Sequence, residues 1–278
     1  MSSTIAPRQV TKLSPLVRRV TQDNPGPMTG SGTNTYLVGK ESLFVIDPGE
    51  NTDEHLDALM RAVDRTPVAG IAPSHAHPDH WPLAPRLAEA LRTITFGFKA
   101  HNGYSPMSTL SDGEVVRGVD WSLKVLHTPG HVSDHLSYLL TEEKALFSGD
   151  HVMGWSTSVI ARPDGSLNSY LASLERLVTM DIAVIYPAHG EPVYQARARI
   201  EELIAHRNLR TRQVLEALHA GLDTAPAIVR RIYTEIDPRL YPAAVQSVLA
   251  HLDALIQSGQ VIIKHQSASP FLSIYALP

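Results

Sequence analysis

Read for the period of its apolar positions, the chain opens as a series of strands. Residues 16–20 (LVRRV), 34–39 (NTYLVG) and 42–47 (SLFVID) are rich in Val, Leu, Tyr and Ile, with turn chemistry at NPGPMTGSG and PGEN. Between His55 and Arg65 the apolar residues fall at Leu56, Leu59, Met60 and Val63, the spacing of one helix face. A short strand, VAGIAP, leads into the loop SHAHPDHWP, and residues 83–92 predict a second helix, with Pro85 tolerated near its first turn. From 94 to 149 the pattern is mostly β: ITFGF, EVVRGV, WSLKVLHT, LSYLLT and KALFSG. A third amphipathic helix over 167–178 precedes the apolar strand IAVIYP. Strand clusters that alternate twice with helices predict two packed sheets with helices outside.

After Val193 the pattern changes. Residues 195–220 predict a long charged helix, and 225–235 and 241–257 two more. VIIKH and FLSIYAL close the chain as β segments joined by a polar QSASP turn. Helices followed by a terminal hairpin form a winged-helix-like pattern, so the chain divides into a domain over 1–195 and a tail domain over 196–278. The tail could cover a pocket, bind a partner or make a homodimer.

Composition narrows the chemistry. The chain has 278 residues, 43% hydrophobic, a net charge of -4 and 6% aromatics. That offers neither the basic footprint nor the stacking platform of a nucleic-acid binder, so nucleic acid is not favoured and a small-molecule substrate is. Neither the N-terminus nor any later stretch is apolar enough for a signal or a membrane span, so a cytoplasmic protein without membrane attachment is expected. Cysteine is absent, which leaves imidazole and carboxylate as metal ligands. Histidine, at 14 residues, is crowded into short loops.

The densest crowding is Ser74-His75-Ala76-His77-Pro78-Asp79-His80, directly after a predicted strand. Imidazoles and a carboxylate at this spacing are costly to bury without partners. At a tight strand end, His75 and His77 can face one cation while Asp79 and His80 face its neighbour. Three further junctions repeat the device: Thr128-Pro129-Gly130-His131, Phe147-Ser148-Gly149-Asp150 and Tyr186-Pro187-Ala188-His189-Gly190. Each places a metal-competent residue where a strand runs out into a loop.

This series resembles the metallo-β-lactamase superfamily, whose hallmark is an HxHxDH loop followed by a lone His, a bridging Asp and a final His. The resemblance extends to the subgroup of β-lactamase-like protein 2, through Asn24-Pro25-Gly26, Gly32-Thr33-Asn34-Thr35-Tyr36-Leu37-Val38-Gly39 and His206-Arg207-Asn208-Leu209-Arg210 before the winged-helix-like tail. It implies an α+β, four-layer αββα fold. It also implies that His75, His77 and His131 hold a first metal, that Asp79, His80 and His189 hold a second, and that Asp150 bridges them. Two such cations, zinc by the nitrogen and oxygen donor set, with iron or manganese also accommodated, make a bridging hydroxide available at neutral pH. The implied function is hydrolysis of an ester, thioester or lactone, with an endoribonuclease or phosphodiesterase as the alternative. An iron persulfide dioxygenase and a non-catalytic binding module stand behind both. Two departures from the subgroup are Ser74, where Thr is usual, and Trp81-Pro82, where small residues are usual.

Other residues carry two readings. Asp47, ending a strand, either orients a loop histidine or is a turn aspartate before Pro48. His135 lines the pocket or donates a proton, which makes it a catalytic candidate beside Asp79 and Asp150, or it is a polar loop residue. His151 is open in the same way. Arg207 faces an anionic substrate or solvent, and Tyr186 packs at its strand end. Gly30-Ser31-Gly32 precedes a strand and therefore offers no helix N-terminus to a phosphate.

Overall fold

The computed structural model describes residues 5–235 and 237–278. Its elements group into two compact units, each containing separate stretches of the chain.

The first unit takes in residues 1–128, 134–157 and 180–197 and is built on two five-stranded sheets. The first sheet runs in chain order: β1 (Val10–Lys12), β2 (Val17–Thr21), β3 (Asn34–Val38), β4 (Leu43–Ile46) and β5 (Val68–Ala72). It is antiparallel up to β4. The β4–β5 pair is parallel, joined through helix α1 (Asp53–Val63), which Thr52 caps. Helix α2 (Ala84–Leu91) follows. Phe96–Gly97 and Ser108–Thr109 form a small parallel ladder, β6 and β7. The second sheet contains β8 (Val115–Arg117), β9 (Ser122–His127), β10 (Leu136–Leu140), β11 (Ala145–Gly149) and β12 (Val184–Pro187), again with one parallel pair, β11 and β12.

Strand alternation explains how the sheets stack. Tyr36, Val38, Phe44 and Ile46 point into one cluster with Leu123, Val125, Leu136, Tyr138 and Phe147 of the other sheet. Leu37, Leu43 and Val45 point the opposite way, onto Leu59 of α1 and Leu87 of α2. The inter-sheet core is aromatic: Tyr36, Phe147 and Tyr186 lie 5.1–5.7 Å apart. Tyr186 thus packs as the sequence suggested.

The second unit takes in residues 129–133, 158–179 and 198–278. It holds α3 (Leu167–Val178), α4 (Ala196–His219, entering from the first unit), α5 (Ala225–Ile232), α6 (Tyr241–Gln257) and the antiparallel hairpin β13 (Ile262–His265) and β14 (Ile274–Ala276). Val214, Ile228, Val229, Val248, Leu252 and Tyr275 form its core.

Departures from the sequence pattern have local causes. β1 was not foreseen because all its residues are exposed and show no alternation. FLSIYAL is only half strand, since Pro270 starts a 3-10 turn through Leu272. Among the described residues no helix is long and apolar enough to cross a membrane.

Candidate metal centre

Two parallel strand pairs set up the centre, because parallel strands end on the same edge. β4 and β5 run out into Asp47 and into the loop of His75, His77, Asp79 and His80, while β11 and β12 run out into Asp150 and His189. At the turn before Asp150, Gly149 has a φ of +51°, and a Cβ there would stand 2.6 Å from His135 Nε2 and Ser74 Oγ. Only glycine lets the two loops approach this closely.

Within the first unit the predicted ligands gather as two neighbouring groups. The candidate ligand atoms of His75, His77 and Asp150 lie within 4.8 Å of one another, and so do those of Asp79, His80 and His189. His75 Nε2 and His77 Nδ1 are 2.8 Å apart. His189 Nε2 lies 3.2 Å from both Asp79 Oδ2 and Asp150 Oδ1. His80 Nε2 lies 3.4 Å from Asp79 and 3.7 Å from Asp150. His131 belongs to the second unit, where its Nδ1 lies 2.5 Å from the Val159 carbonyl.

The rings are held from behind, which fixes which nitrogen each presents. His80 Nδ1 lies 3.2 Å from Asp47 Oδ1, His75 Nδ1 3.0 Å from Ser74 Oγ, and His189 Nδ1 3.3 Å from the Gly32 carbonyl. Asp47 therefore orients a loop histidine, and its Oδ1 also accepts the Ser74 N–H at 2.6 Å. Its own backbone sits at φ +51°. The Thr35 hydroxyl steadies that junction by donating to the Asp47 carbonyl at 2.7 Å. With that proton committed, Thr35 Oγ1 accepts from His55 Nε2 at 2.9 Å. His55 is buried, and burial pushes it down to about 4.

The electrostatics favour cations. Burial would lower the proton affinity of His80, but Asp79, Asp47 and Asp150 outweigh it and raise it well above the usual range. His189 is likewise opposed by burial and raised to about 9 by Asp150 and Asp79. Burial would raise Asp79, yet the charge of His80 beside it, with the hydrogen bond and charge of His189, holds it below the carboxylate range. His80 Nε2 is buried without a hydrogen-bond partner among the described residues. A buried imidazole nitrogen aimed at carboxylates and left unbonded is what a metal ligand requires, so these residues fit a cation.

Other expectations resolve differently. His135 is fully buried, with Nδ1 2.9 Å from Thr128 Oγ1 and Nε2 accepting the Asp150 N–H at 3.2 Å. It is linked to the centre through the main chain of Asp150 and by its ring, stacked 5.2 Å from that of His75. His151 is also fully buried. Arg207 does not face solvent: it is 2% exposed, donates to the Ser158 carbonyl and lies 5.2 Å from the Tyr170 ring centre. Trp81 packs on Tyr104 beside α2. Ser74, where Thr is usual, still supplies a hydroxyl to His75. Gly30-Ser31-Gly32 serves the centre through the Gly32 carbonyl. Asp134 was overlooked: its Oδ2 accepts the Ala76 N–H inside the histidine loop at 3.1 Å, and its place beside His135 was the available signal.

Comparison with known proteins agrees with this geometry. Residues 28–189 match the family model of the metallo-beta-lactamase superfamily, and residues 224–267 that of the beta-lactamase associated winged helix domain. The beta-lactamase-like protein 2 homolog of Caenorhabditis elegans is 31% identical over 92% of this chain and 89% of its own length. An atrochrysone carboxyl ACP thioesterase from Cryptosporiopsis sp. is 33% identical over 78% of this chain and 67% of its own length. The fold of a beta-lactamase domain protein from Burkholderia ambifaria matches with a TM-score of 0.83, at 22% identity, over 99% of this chain and 96% of that one. The two stacked sheets with their ligand-bearing strand ends, the helical tail with its hairpin and these matches lead to one assignment: the chain belongs to the metallo-beta-lactamase superfamily, as a hydrolase of that family with a C-terminal winged helix domain.

Proposed function

We propose that the chain holds two divalent zinc ions and hydrolyses a small-molecule thioester, ester or lactone. His75, His77 and His131 serve the first ion, Asp79, His80 and His189 the second, and Asp150 both. The observation that carries this reading is the buried, unbonded His80 Nε2 facing Asp79 and Asp150. A donor set of imidazole and carboxylate fits zinc and also accommodates iron or manganese. His131 fits the same pattern as the other rings: with Nδ1 on the Val159 carbonyl, Nε2 is the lone-pair nitrogen. The likeness to a thioesterase favours an acyl substrate.

When bound, such cations would polarise the acyl carbonyl and lower the pKa of a bound water. The chain's own contribution is positional. The Asp79 and Asp150 side chains are 23% and 14% exposed, whereas His80 and His189 are 0% and 1%. The two carboxylates are therefore the groups that meet an entering water. As its oxygen bonds to the acyl carbon, Asp150 takes its proton. That proton passes to the departing sulfur or oxygen when the acyl C–S or C–O bond breaks, while Asp79 stays ionised. His135 keeps Asp150 in place through its main-chain N–H.

A panel of thioesters, lactones and single-stranded RNA tests the reading, with metal analysis alongside. The expected result is acyl turnover with about two zinc ions per chain. In Asp150→Asn, turnover should fall on the order of a thousandfold with at least one ion lost. RNA cleavage abolished by Asp150→Asn, with silent acyl panels, would make the protein a nuclease instead.

A further inference from the structure

A cavity of about 760 Å³ lies within the first unit, in loops that adjoin the proposed ligands along the chain. Gly30 and Ser31 lead to Gly32, whose carbonyl backs His189; Trp155 closely follows Asp150; and the stretch from Gly190 to Tyr194 directly follows His189. Two aromatic side chains stand open on this surface, Trp155 at 48% and Tyr194 at 73% exposed.

Trp155 is exposed yet held. A Cβ at Gly30 would stand 3.2 Å from its Cζ2, and one at Gly190 2.7 Å from its Cδ1. The indole thus rests on two stretches of bare backbone, where any larger side chain would push it out. Such a platform has little conformational freedom left to lose on binding. The surface is also electrically quiet. Among the described residues that line it, only Glu191 carries a formal charge, and Glu191 is paired with the Arg19 guanidinium at 2.9 Å. Among these described residues none offers an unpaired cation to a phosphate or a carboxylate.

We propose that this cavity takes the apolar part of the substrate, an extended aliphatic or aromatic acyl group, so that the enzyme prefers long or aryl acyl groups over short ones. The proposal rests on the acyl-hydrolase reading above and adds the substrate class to it. Each methylene buried on the indole should raise kcat/KM by about fourfold until the cavity is filled.

The test uses the full chain with acetyl, hexanoyl and decanoyl thioesters of N-acetylcysteamine. A second probe is the decyl thioether of the same amine, which cannot be hydrolysed. In the wild type, kcat/KM should climb steeply with chain length, and the thioether should quench Trp155 fluorescence. Trp155→Ala and Tyr194→Ala should each cut the decanoyl-to-acetyl ratio by about tenfold, mainly through KM. Tyr194→Ala also weakens the quenching, and its exposed position keeps folding out of the result. Thioether binding that depends on Tyr194, without hydrolysis of any thioester, supports the cavity's ligand class and removes the acyl-hydrolase reading. Hydrolysis that ignores chain length, together with no thioether binding, overturns the cavity proposal and leaves hydrolysis standing.

Discussion

His80, in the loop after β5, and His251, on α6, are equally shut off from solvent, at 0% and 1% exposure. Their proton affinities are driven in opposite directions. Burial lowers both, but at His80 it is overcome by Asp79, Asp47 and Asp150, whereas at His251 it is reinforced by Arg207, His206 and Arg210, down to about 3. Depth therefore does not tell a site from a core in this molecule; the company of each ring does. The strand-end loops of the first unit are arranged to hold positive charge, whereas the second unit already buries the Arg207 guanidinium and keeps a further charge off His251.

Removing the carboxylate behind His80 attacks the first half of that contrast most directly. Asp47→Ala takes away the acceptor shared by Ser74 N–H and His80 Nδ1. Metal affinity, measured by competition with a chelator, should weaken by about 10- to 100-fold. Asp47→Asn keeps an acceptor and tolerates the positive φ, so it should lose clearly less. Equal, wild-type affinity in both variants would mean that His80 does not need Asp47 to face the cation.

His135 sharpens the contrast within the centre itself. If it acts by accepting the Asp150 N–H, His135→Gln keeps an acceptor and most activity, whereas His135→Leu leaves that N–H unpaired. The leucine variant should lose about tenfold in kcat and about 1–3 kcal/mol of stability, measured by denaturant unfolding. The pH profile of the residual activity should keep its shape. A profile that loses one limb in both variants would make His135 a proton donor.

The readability of these features in the sequence follows from how locally each is encoded. The ligand loop stood out because its histidines and aspartate lie within a few residues, and Asp150 and His189 because each ends an apolar strand. The strand clusters alternating with helices gave away the two packed sheets, but which face Tyr36, Leu37 and Val38 each take was hidden, because all three are apolar. The Thr35–His55 chain behind Asp47 was hidden, since a hydroxyl joins residues from a strand and a helix that share no motif. Arg207 was hidden for another reason. Charged residues occur all around α4, so no apolar stripe marked which arginine the fold buries. The reach of Trp155 into open space depends on glycines distant in sequence, Gly30 and Gly190, that only folding brings under the ring.

An effect confined to acid pH tests the other half of the contrast, the ring that stays neutral. His251 Nδ1 lies 2.9 Å from Thr211 Oγ1, and the folded protein keeps the ring neutral down to about pH 3, against 6.5 for an unperturbed histidine. Above pH 6.5 both folded and unfolded chains carry it neutral, and it has no influence on stability. Between 6.5 and about 3 the unfolded chain takes up a proton that the folded one rejects, so stability falls as the pH drops. The slope from this residue alone approaches about 1.4 kcal/mol per pH unit. His251→Asn, which places an amide where Nδ1 was, should remove that share: its unfolding free energy should fall less than the wild type's between pH 6 and pH 4. Parallel curves for the two proteins would show that the helical core accepts a charged ring after all, and burial alone would no longer separate His251 from His80.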